Sequence, residues 1–445
     1  MPVRNLVALF LAAILSLLCH LKADRNRYAT TVSEAMDLIA FNYLEDVEYR
    51  KLYENAMRGM AESLDPYSSY ISPVDYQRFQ EELDQEFGGI GILVEFNRET
   101  NHLVVMSPLF DTPATRAGVR AGDVILAIDG RDTSGMSFRD AVELIRGKPG
   151  DPVRLSILHP GEQTPVDLEI LRAIIPIESV LGDRRSPDGK WEYELQEDPR
   201  ITYLRLINFG ENTVSELSQA LRSRKSAALI LDLRDNAGGL LDAAVGICNL
   251  FLDDGTIVTI RGRDGEVQRT YEADGSPLFP RDVPVVVLIN NFSASASEIV
   301  AACLQDHQRA KVIGQRSWGK GTVQNVLPIE GRRAALKLTT ASYWRPSGKN
   351  IHRLSEAKDE DEWGVRPDVG FEVVLTDEQA DKLRQRRRDK DLGTTPKPAP
   401  EPPADAKPPA DAKPAPDAGT AEPAGDPALQ KAVEYLQQQL GTAAS

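Results

Sequence analysis

The 445-residue sequence predicts a multidomain α/β protein with an N-terminal helical segment, and three observations carry that prediction. Apolar residues recur at helical spacing in VSEAMDLIAFNYL and YENAMRGMAESL. Short strands cluster between Phe87 and Ala173 around one amphipathic helix, which makes a compact β-rich module. From about residue 200 strands and helices alternate, the order of a largely parallel sheet whose sites lie at the carboxyl ends of its strands.

The first segment, residues 1–23, holds an apolar stretch from Leu6 to Cys19 that suits a signal-peptide core and is short for a spanning helix. Arg4 supplies a thin positive flank, and no clean A-x-A site follows. The expectation is export to the cell envelope, with the segment either cleaved or kept as a membrane anchor. Residues 24–86 form the helical region. In residues 87–173, GIGILVEF, HLVVMSPL and GDVILAIDG read as strands, with Asp129-Gly130 as a tight turn. SFRDAVELIRGKPG is the helix: Phe138, Val142 and Ile145 share a face, and Gly147 and Pro149 close it. VRLSILHP and DLEILRA complete the module.

Residues 174–386 carry the alternating core. ITYLRLINF, AALILDLRD, PVVVLIN and AKVIG are strands; VSELSQALRS, LLDAAVGICNLFL and ASEIVAACLQ are helices. ALKLTTASYW and VGFEVVL are expected as further strands. Residues 387–425 collapse to Pro, Ala, Lys and Asp, with PPADAK duplicated, and predict a disordered linker with nothing to bury. A last amphipathic helix, DPALQKAVEYLQQQL, occupies 426–445, with Asp426 as N-cap and Pro427 at its first position.

The composition, 41% apolar and 27% charged, is that of an ordinary globular protein. A net charge of −15 argues against nucleic acid as a partner, because phosphate binding needs clustered Lys and Arg. Cys248 and Cys303 sit in apolar helical patterns and are expected as small buried hydrophobes. Their spacing suggests neither a disulfide framework nor a metal site, and nothing in the sequence asks for a cofactor.

Three stretches carry chemistry. FSASASEI, residues 292–299, sets Ser293, Ser295 and Ser297 on alternate positions in a strand-to-helix turn, where a hydroxyl can be exposed beside free helix N–H groups. Ser295-x-x-Glu298 is equally a capping box, which would explain a serine without catalysis. Pattern alone does not choose among the three serines. Histidine is the usual base, yet the nearest to this turn is His307.

GQRSWGKGTVQ, residues 314–324, resembles a P-loop until Gly321 stands in place of the magnesium-binding Ser or Thr, and a β-like segment follows where a helix is required. The same residues suit another role. Flanking glycines let backbone approach Lys320, Trp318 can cover it, and a desolvated lysine gives up its proton more easily. Bringing its pKa from ~10.4 to ~7–8 costs roughly 3–5 kcal/mol, and the neutral amine is then a competent base for a serine. The bland counterpart is a solvated loop lysine. DLRDNAGGLL, residues 232–241, ends a strand in a Gly-Gly turn; the N–H groups of Gly238 and Gly239 could hold an oxyanion, or the pair could simply permit the turn.

Taken in order, GDVILAIDG, ITYLRLINF, DLRDNAGG, SASASEI, WGKGTVQ, YWRPSGKNI and GVRPDV resemble the C-terminal processing peptidases, or tail-specific proteases, of the S41 serine peptidases. The resemblance spans residues 30–386, and the final helix is similar to that family's closing helix. It implies a PDZ domain over 87–173 and a crotonase-like (ClpP-like) protease core. It implies Ser295 as nucleophile, Lys320 as base and Gln324 as the residue that orients the lysine. The oxyanion hole falls on the N–H of Ala296 and of one glycine of the pair, with Gly238 favoured; Asp306 matches an acid expected to be structural. The PDZ module is expected to take an extended apolar C-terminus by strand addition, with Gly89, Ile90, Gly91 and Ile92 at its carboxylate. The implied partners are protein substrates with apolar tails; a homo-oligomer or an adaptor protein is compatible with the resemblance. The competing class is a catalytically silent PDZ scaffold, and a nucleotide-dependent enzyme is a more distant rival.

Overall fold

The computed structural model describes residues 3–84, 86–97, 101–109, 111–186, 190–223, 225–391 and 425–442. The expected linker therefore lies almost wholly outside the described residues. The chain divides into two units, Met1–Gln77 with Gln324–Thr339, and Arg78–Val323 with Thr340–Ser445.

In the first unit the helical spacing near the N-terminus becomes helices Val3–Asn42 and Tyr49–Glu62. Among the described residues no helix is long and apolar enough to cross a membrane. A short strand not read from the sequence, Ser69–Ile71, pairs antiparallel with Ala335–Lys337. Glu330 joins it to the second helix: Arg50 approaches the carboxylate to 2.7 Å, and the Tyr70 hydroxyl donates to it at 2.9 Å.

The second unit contains the β-rich module. Ile92–Asn97, His102–Pro108, Val124–Ile128, Pro152–Leu158 and Val166–Leu171 form one antiparallel sheet in that spatial order. Period-two alternation buries Leu103, Val105, Val153, Leu155 and Ile157 against Ala141 and Ile145 of helix Phe138–Ile145. Ile92–Asn97 lies at the sheet's edge.

The same unit holds a parallel sheet of Asp198–Leu206, Ala228–Asp232, Val285–Ile289 and Lys311–Gly314. Its strands are apolar on both faces, as expected where both are covered. Leu229, Leu231, Val285, Val287 and Val312 pack toward helices Thr213–Arg222, Leu241–Asn249 and Ala296–Asp306. Cys248 and Cys303 are fully buried in that layer. Ile201, Tyr203, Ile230, Val286, Leu288 and Ile313 pack on the other face beneath Leu429, Ala432, Val433 and Leu436 of helix Pro427–Thr442. As its sequence predicts, this helix is capped by Asp426, which accepts the Leu429 N–H at 3.1 Å.

Two expectations change. VGFEVVL forms no strand: it contributes one bridge, Gly314 with Glu372, while Val369 and Val374 stay exposed. A helix, Asp377–Asp391, runs past the point where the linker was expected to begin. It buries no residue and is held by charge, with Arg387 at 3.4 Å from Asp232 and 3.2 Å from Asp235, and Asp391 at 2.6 Å from Arg205.

Candidate active site

Strand Val285–Ile289 ends in a turn that feeds helix Ala296–Asp306, and the structure separates the three serines by what their hydroxyls do. Ser293 Oγ donates to the Leu233 carbonyl at 2.8 Å, and Ser297 Oγ to the Asn236 carbonyl at 2.9 Å. Both bind the serine turn to the neighbouring DLRDNAGG turn. Ser295, between them, has φ +56° and ψ −114°, in place of the extended backbone of an ordinary N-cap. A non-glycine residue held there costs of order 1–3 kcal/mol and persists only where its surroundings enforce it.

Those surroundings include Glu298, fully buried one turn into the helix. Its Oε2 accepts the Ser295 N–H and the Lys320 N–H, each at 2.8 Å. Its Oε1 accepts the Ser317 hydroxyl at 2.6 Å and the Gly319 N–H at 2.7 Å. Burial pushes this carboxyl up from its ordinary 4.5, against the pull of those bonds. The glutamate that the sequence shows as half of a capping box therefore also fastens the lysine loop. That second role was missed, although Ser295-x-x-Glu298 was its visible half.

Lys320 is half-buried in the loop after strand Lys311–Gly314, and a strand, Thr322–Ile329, follows in place of a P-loop's helix. Its flanking glycines are required by close backbone. A Cβ on Gly321 would lie 2.1 Å from the His352 nitrogen, and one on Gly319, at φ +87°, 2.7 Å from the Arg353 Cβ. Trp318 is about half exposed and donates its N–H to the Ser293 carbonyl at 2.9 Å. Tyr343 is buried beside the Ser295 turn; burial pushes its hydroxyl up to about 12, with a hydrogen bond involving Ser295 opposing.

Gly238 meets the same turn. A Cβ there would sit 2.9 Å from both the Ala296 nitrogen and the Ser295 Cβ. Its own N–H donates to Asn236 Oδ1 at 2.8 Å. Asn236 was not singled out by sequence; fully buried, it also donates Nδ2 to the Leu206 carbonyl at 2.7 Å and accepts the Ala294 N–H at 3.0 Å. Asp306 pairs with Arg345 at 2.6 Å and accepts the Ser347 N–H at 3.0 Å. Gln324 belongs to the first unit, where its Nε2 donates to Thr339 Oγ1 at 3.2 Å.

Gly89, Ile90, Gly91 and Ile92 lie in the β-rich module. The Ile90 carbonyl accepts the Ala114 N–H and the Gly91 carbonyl the Leu109 N–H, both at 2.9 Å. Each trans peptide plane turns the following N–H to the opposite side, so the Gly91 and Ile92 amides point away from that contact. Successive amides turned one way make an anion-binding concavity.

A strained serine at a strand-to-helix turn of an α/β core, in one unit with a β-rich module, takes its class from comparison with known proteins: a peptidase with a PDZ domain. Residues 200–371 match peptidase family S41, 104–158 a PDZ domain, and 20–73 the N-terminal domain of the activating protease CtpB. The carboxy-terminal-processing protease of Bartonella bacilliformis is 40% identical over 349 residues, 77% of this chain and 74% of that protein. Carboxy-terminal processing protease CtpB of Bacillus subtilis is 32% identical over 336 residues, 74% of this chain and 67% of that protein. Among solved structures, the photosystem II D1 C-terminal processing protease is 27% identical with a TM-score of 0.42, covering 82% of this chain and 97% of that one. The chain belongs to the carboxy-terminal-processing proteases of the S41 serine peptidases.

Proposed function

We propose that this protease cleaves proteins near their C-termini with a Ser–Lys pair, in the cell envelope. The single observation that carries the mechanism is the Glu298 carboxylate, which fastens the backbone of Ser295 and of Lys320 to one oxygen. The strained backbone of Ser295 adds support, since nucleophile turns between strand and helix carry such strain. Ser295 Oγ attacks the scissile carbonyl while Lys320 accepts its proton. Lys320 then protonates the leaving amine, and water releases the acyl group by the same route. The Ala296 N–H and the Gly238 N–H serve the developing oxyanion, which draws the latter from Asn236 Oδ1. Gln324 orients the lysine. Asp306, paired with Arg345, is structural.

The PDZ domain takes an extended apolar tail along the edge strand Ile92–Asn97, with the Gly91 and Ile92 amides at its carboxylate. The apolar stretch Leu6 to Cys19 supports export, with the segment as signal or anchor.

The test uses residues 24–445 and an unstructured reporter with an apolar, uncharged C-terminal tail, at mildly alkaline pH with EDTA. Wild type should cut, and Ser295→Ala and Lys320→Ala should bind the tail without cutting. Cleavage that survives in Lys320→Ala would sink the mechanism. Binding without cleavage by all three would favour a silent scaffold.

A further inference from the structure

The turn that follows strand Ala228–Asp232 makes two sets of contacts. The first set is with the serine turn: the Leu233 carbonyl accepts Ser293 Oγ, and the Asn236 carbonyl accepts Ser297 Oγ and the Ala294 N–H. Arg234 and Asp235 lie between those two residues. Asp235 has φ +59°, and its N–H donates to Asn290 Oδ1 at 2.9 Å. The second set belongs to the Arg234 guanidinium, which is buried. Its Nε and Nη2 donate to Asp232 at 2.9 and 2.6 Å, and the Arg234 backbone N–H donates to the same carboxylate at 3.0 Å. Its remaining nitrogen, Nη1, donates at 2.8 Å to Oδ1 of Asp426, the cap of helix Pro427–Thr442.

A second cation shares these acids. Arg387 Nη2 lies 3.4 Å from Asp232 Oδ2 and 3.6 Å from Asp426 Oδ2, and its Nη1 lies 3.2 Å from Asp235. Asp232 is fully buried and already takes the Tyr203 hydroxyl at 2.7 Å. Two guanidinium groups on one buried carboxylate repel each other, and Asp426 supplies the second negative charge. Without it Arg234 keeps a buried N–H with no carboxylate to meet, the costly half of a broken ion pair. The side chain and the backbone N–H of Arg234 hold the same Asp232, so the guanidinium cannot turn away without loosening the backbone of the turn.

We propose that Asp426 is a positioning residue for catalysis: through Arg234 it fixes the Leu233–Gly238 turn, so that docking of helix Pro427–Thr442 sets the oxyanion donor at Gly238. The inference rests on the reading of Gly238 as that donor. Asp426 and Arg234 stand 192 positions apart in sequence. Asp426 begins a helix whose apolar face, Leu429, Ala432, Val433 and Leu436, packs on the sheet that ends in this turn. Docking of that helix thereby acts on Gly238 as well as on stability.

The experiment uses the protein and reporter of the cleavage test and compares Asp426→Ser, Asp426→Asn, Gln437→Ala and Gly238→Ala. Serine caps a helix as well as aspartate does, yet it is uncharged and too short to reach Arg234. Gln437, on the same helix, donates instead to Asp198 Oδ2 at 3.0 Å. The added probes are an apolar peptide aldehyde and its matching alcohol. In the proposed mechanism Ser295 Oγ bonds to the aldehyde carbon, its proton passes to Lys320, and the former carbonyl oxygen becomes an oxyanion. The alcohol has no carbonyl to attack. The ratio of the two inhibition constants therefore reports the oxyanion site and not the amount of folded enzyme. Asp426→Ser should lower kcat roughly tenfold at unchanged KM, and the ratio by a similar factor, part of the ~10²–10³ that losing a donor outright costs. Asp426→Asn, which keeps an oxygen for Nη1, should recover part of both, and Gln437→Ala should match wild type. A wild-type ratio in Asp426→Ser overturns the inference whatever its kcat, because a merely structural residue changes only the active fraction. An equal fall in Gln437→Ala overturns it too. If Gly238→Ala keeps the wild-type ratio, the reading of Gly238 fails and this inference with it; if Gly238→Ala loses the ratio and Asp426→Ser does not, this inference alone fails.

Discussion

The backbone nitrogen of Lys320 lies 2.8 Å from Glu298 Oε2, and the backbone nitrogen of Ser295 lies 2.8 Å from the same oxygen. Two loops separated in sequence thus share one buried acceptor. Glu298→Gln replaces one oxygen with an NH2 that must face two donors, whichever way the amide turns. Leaving two buried donors unpaired costs roughly 2–5 kcal/mol. Denaturant unfolding should register that loss, and kcat should fall because the two loops lose their common anchor. Near-normal stability together with near-normal turnover would show that other contacts hold the loops.

Gly238→Ala is expected to abolish most turnover for a different reason. The residue has φ +98°, and an added Cβ would lie 2.7 Å from the Ala294 carbonyl oxygen and 2.9 Å from the Ala296 nitrogen. The turn around Ser295 must shift, and on the proposed role of Gly238 the loss of an oxyanion donor costs about 10²–10³ in kcat. Gly265→Ala is the control: it carries φ +77° but meets nothing within 4 Å. It should lose a little stability and no activity. Equal turnover in the two variants would remove Gly238 from the site.

How far the sequence could be read follows from which forces leave a pattern in it. Strands such as VVVLI show their burial as an unbroken apolar run and helices such as ASEIVAACLQ as periodicity, and both stand where those patterns put them. DEQADKLRQRRRDKD has no apolar stripe; its helix is held by ion pairs to Asp232, Asp235 and Arg205, partners that no local pattern reveals. VGFEVVL alternates convincingly, but only Glu372 finds a strand partner. At the site, alternation made the three serines equivalent, and they differ only in backbone angle and hydrogen-bond partner. Asn236 was invisible because its contacts are long-range hydrogen bonds between ordinary-looking segments.

Docking of helix Pro427–Thr442 should be acid-sensitive. Asp426 is buried, which opposes ionisation, but Arg234 at 2.8 Å outweighs burial, and the carboxyl stays below its ordinary 3.8. A carboxyl depressed in the docked state binds its proton more tightly when undocked. Its contribution is therefore complete at neutral pH and is lost as pH falls from 3.8 through the docked value. Hydrogen exchange across 427–442 should show protection that is flat near neutrality and falls in acid. Protection that rises in acid would reverse the assignment. Leu436→Ala, at a fully buried position, should weaken protection by about 2–5 kcal/mol at any pH.

The last expectation concerns the PDZ domain. Gly91 has φ +78°, and a Cβ there would fall 2.4 Å from the Cβ of Thr112, the residue whose hydroxyl donates to the Gly91 carbonyl at 3.1 Å. Gly91→Ala must turn that peptide plane and, with it, the Gly91 and Ile92 amides proposed to meet the carboxylate of a bound tail. A charge-assisted hydrogen bond is worth about 1.5–3 kcal/mol, so tail binding should weaken roughly tenfold to a hundredfold. Fluorescence polarisation with a labelled apolar peptide measures this directly. Amidating the peptide's terminal carboxyl should weaken binding to wild type by a similar factor and add little in Gly91→Ala, since both changes remove the same interaction. If the amidated peptide binds wild type as well as the free acid does, the Gly91 and Ile92 amides do not read a C-terminus.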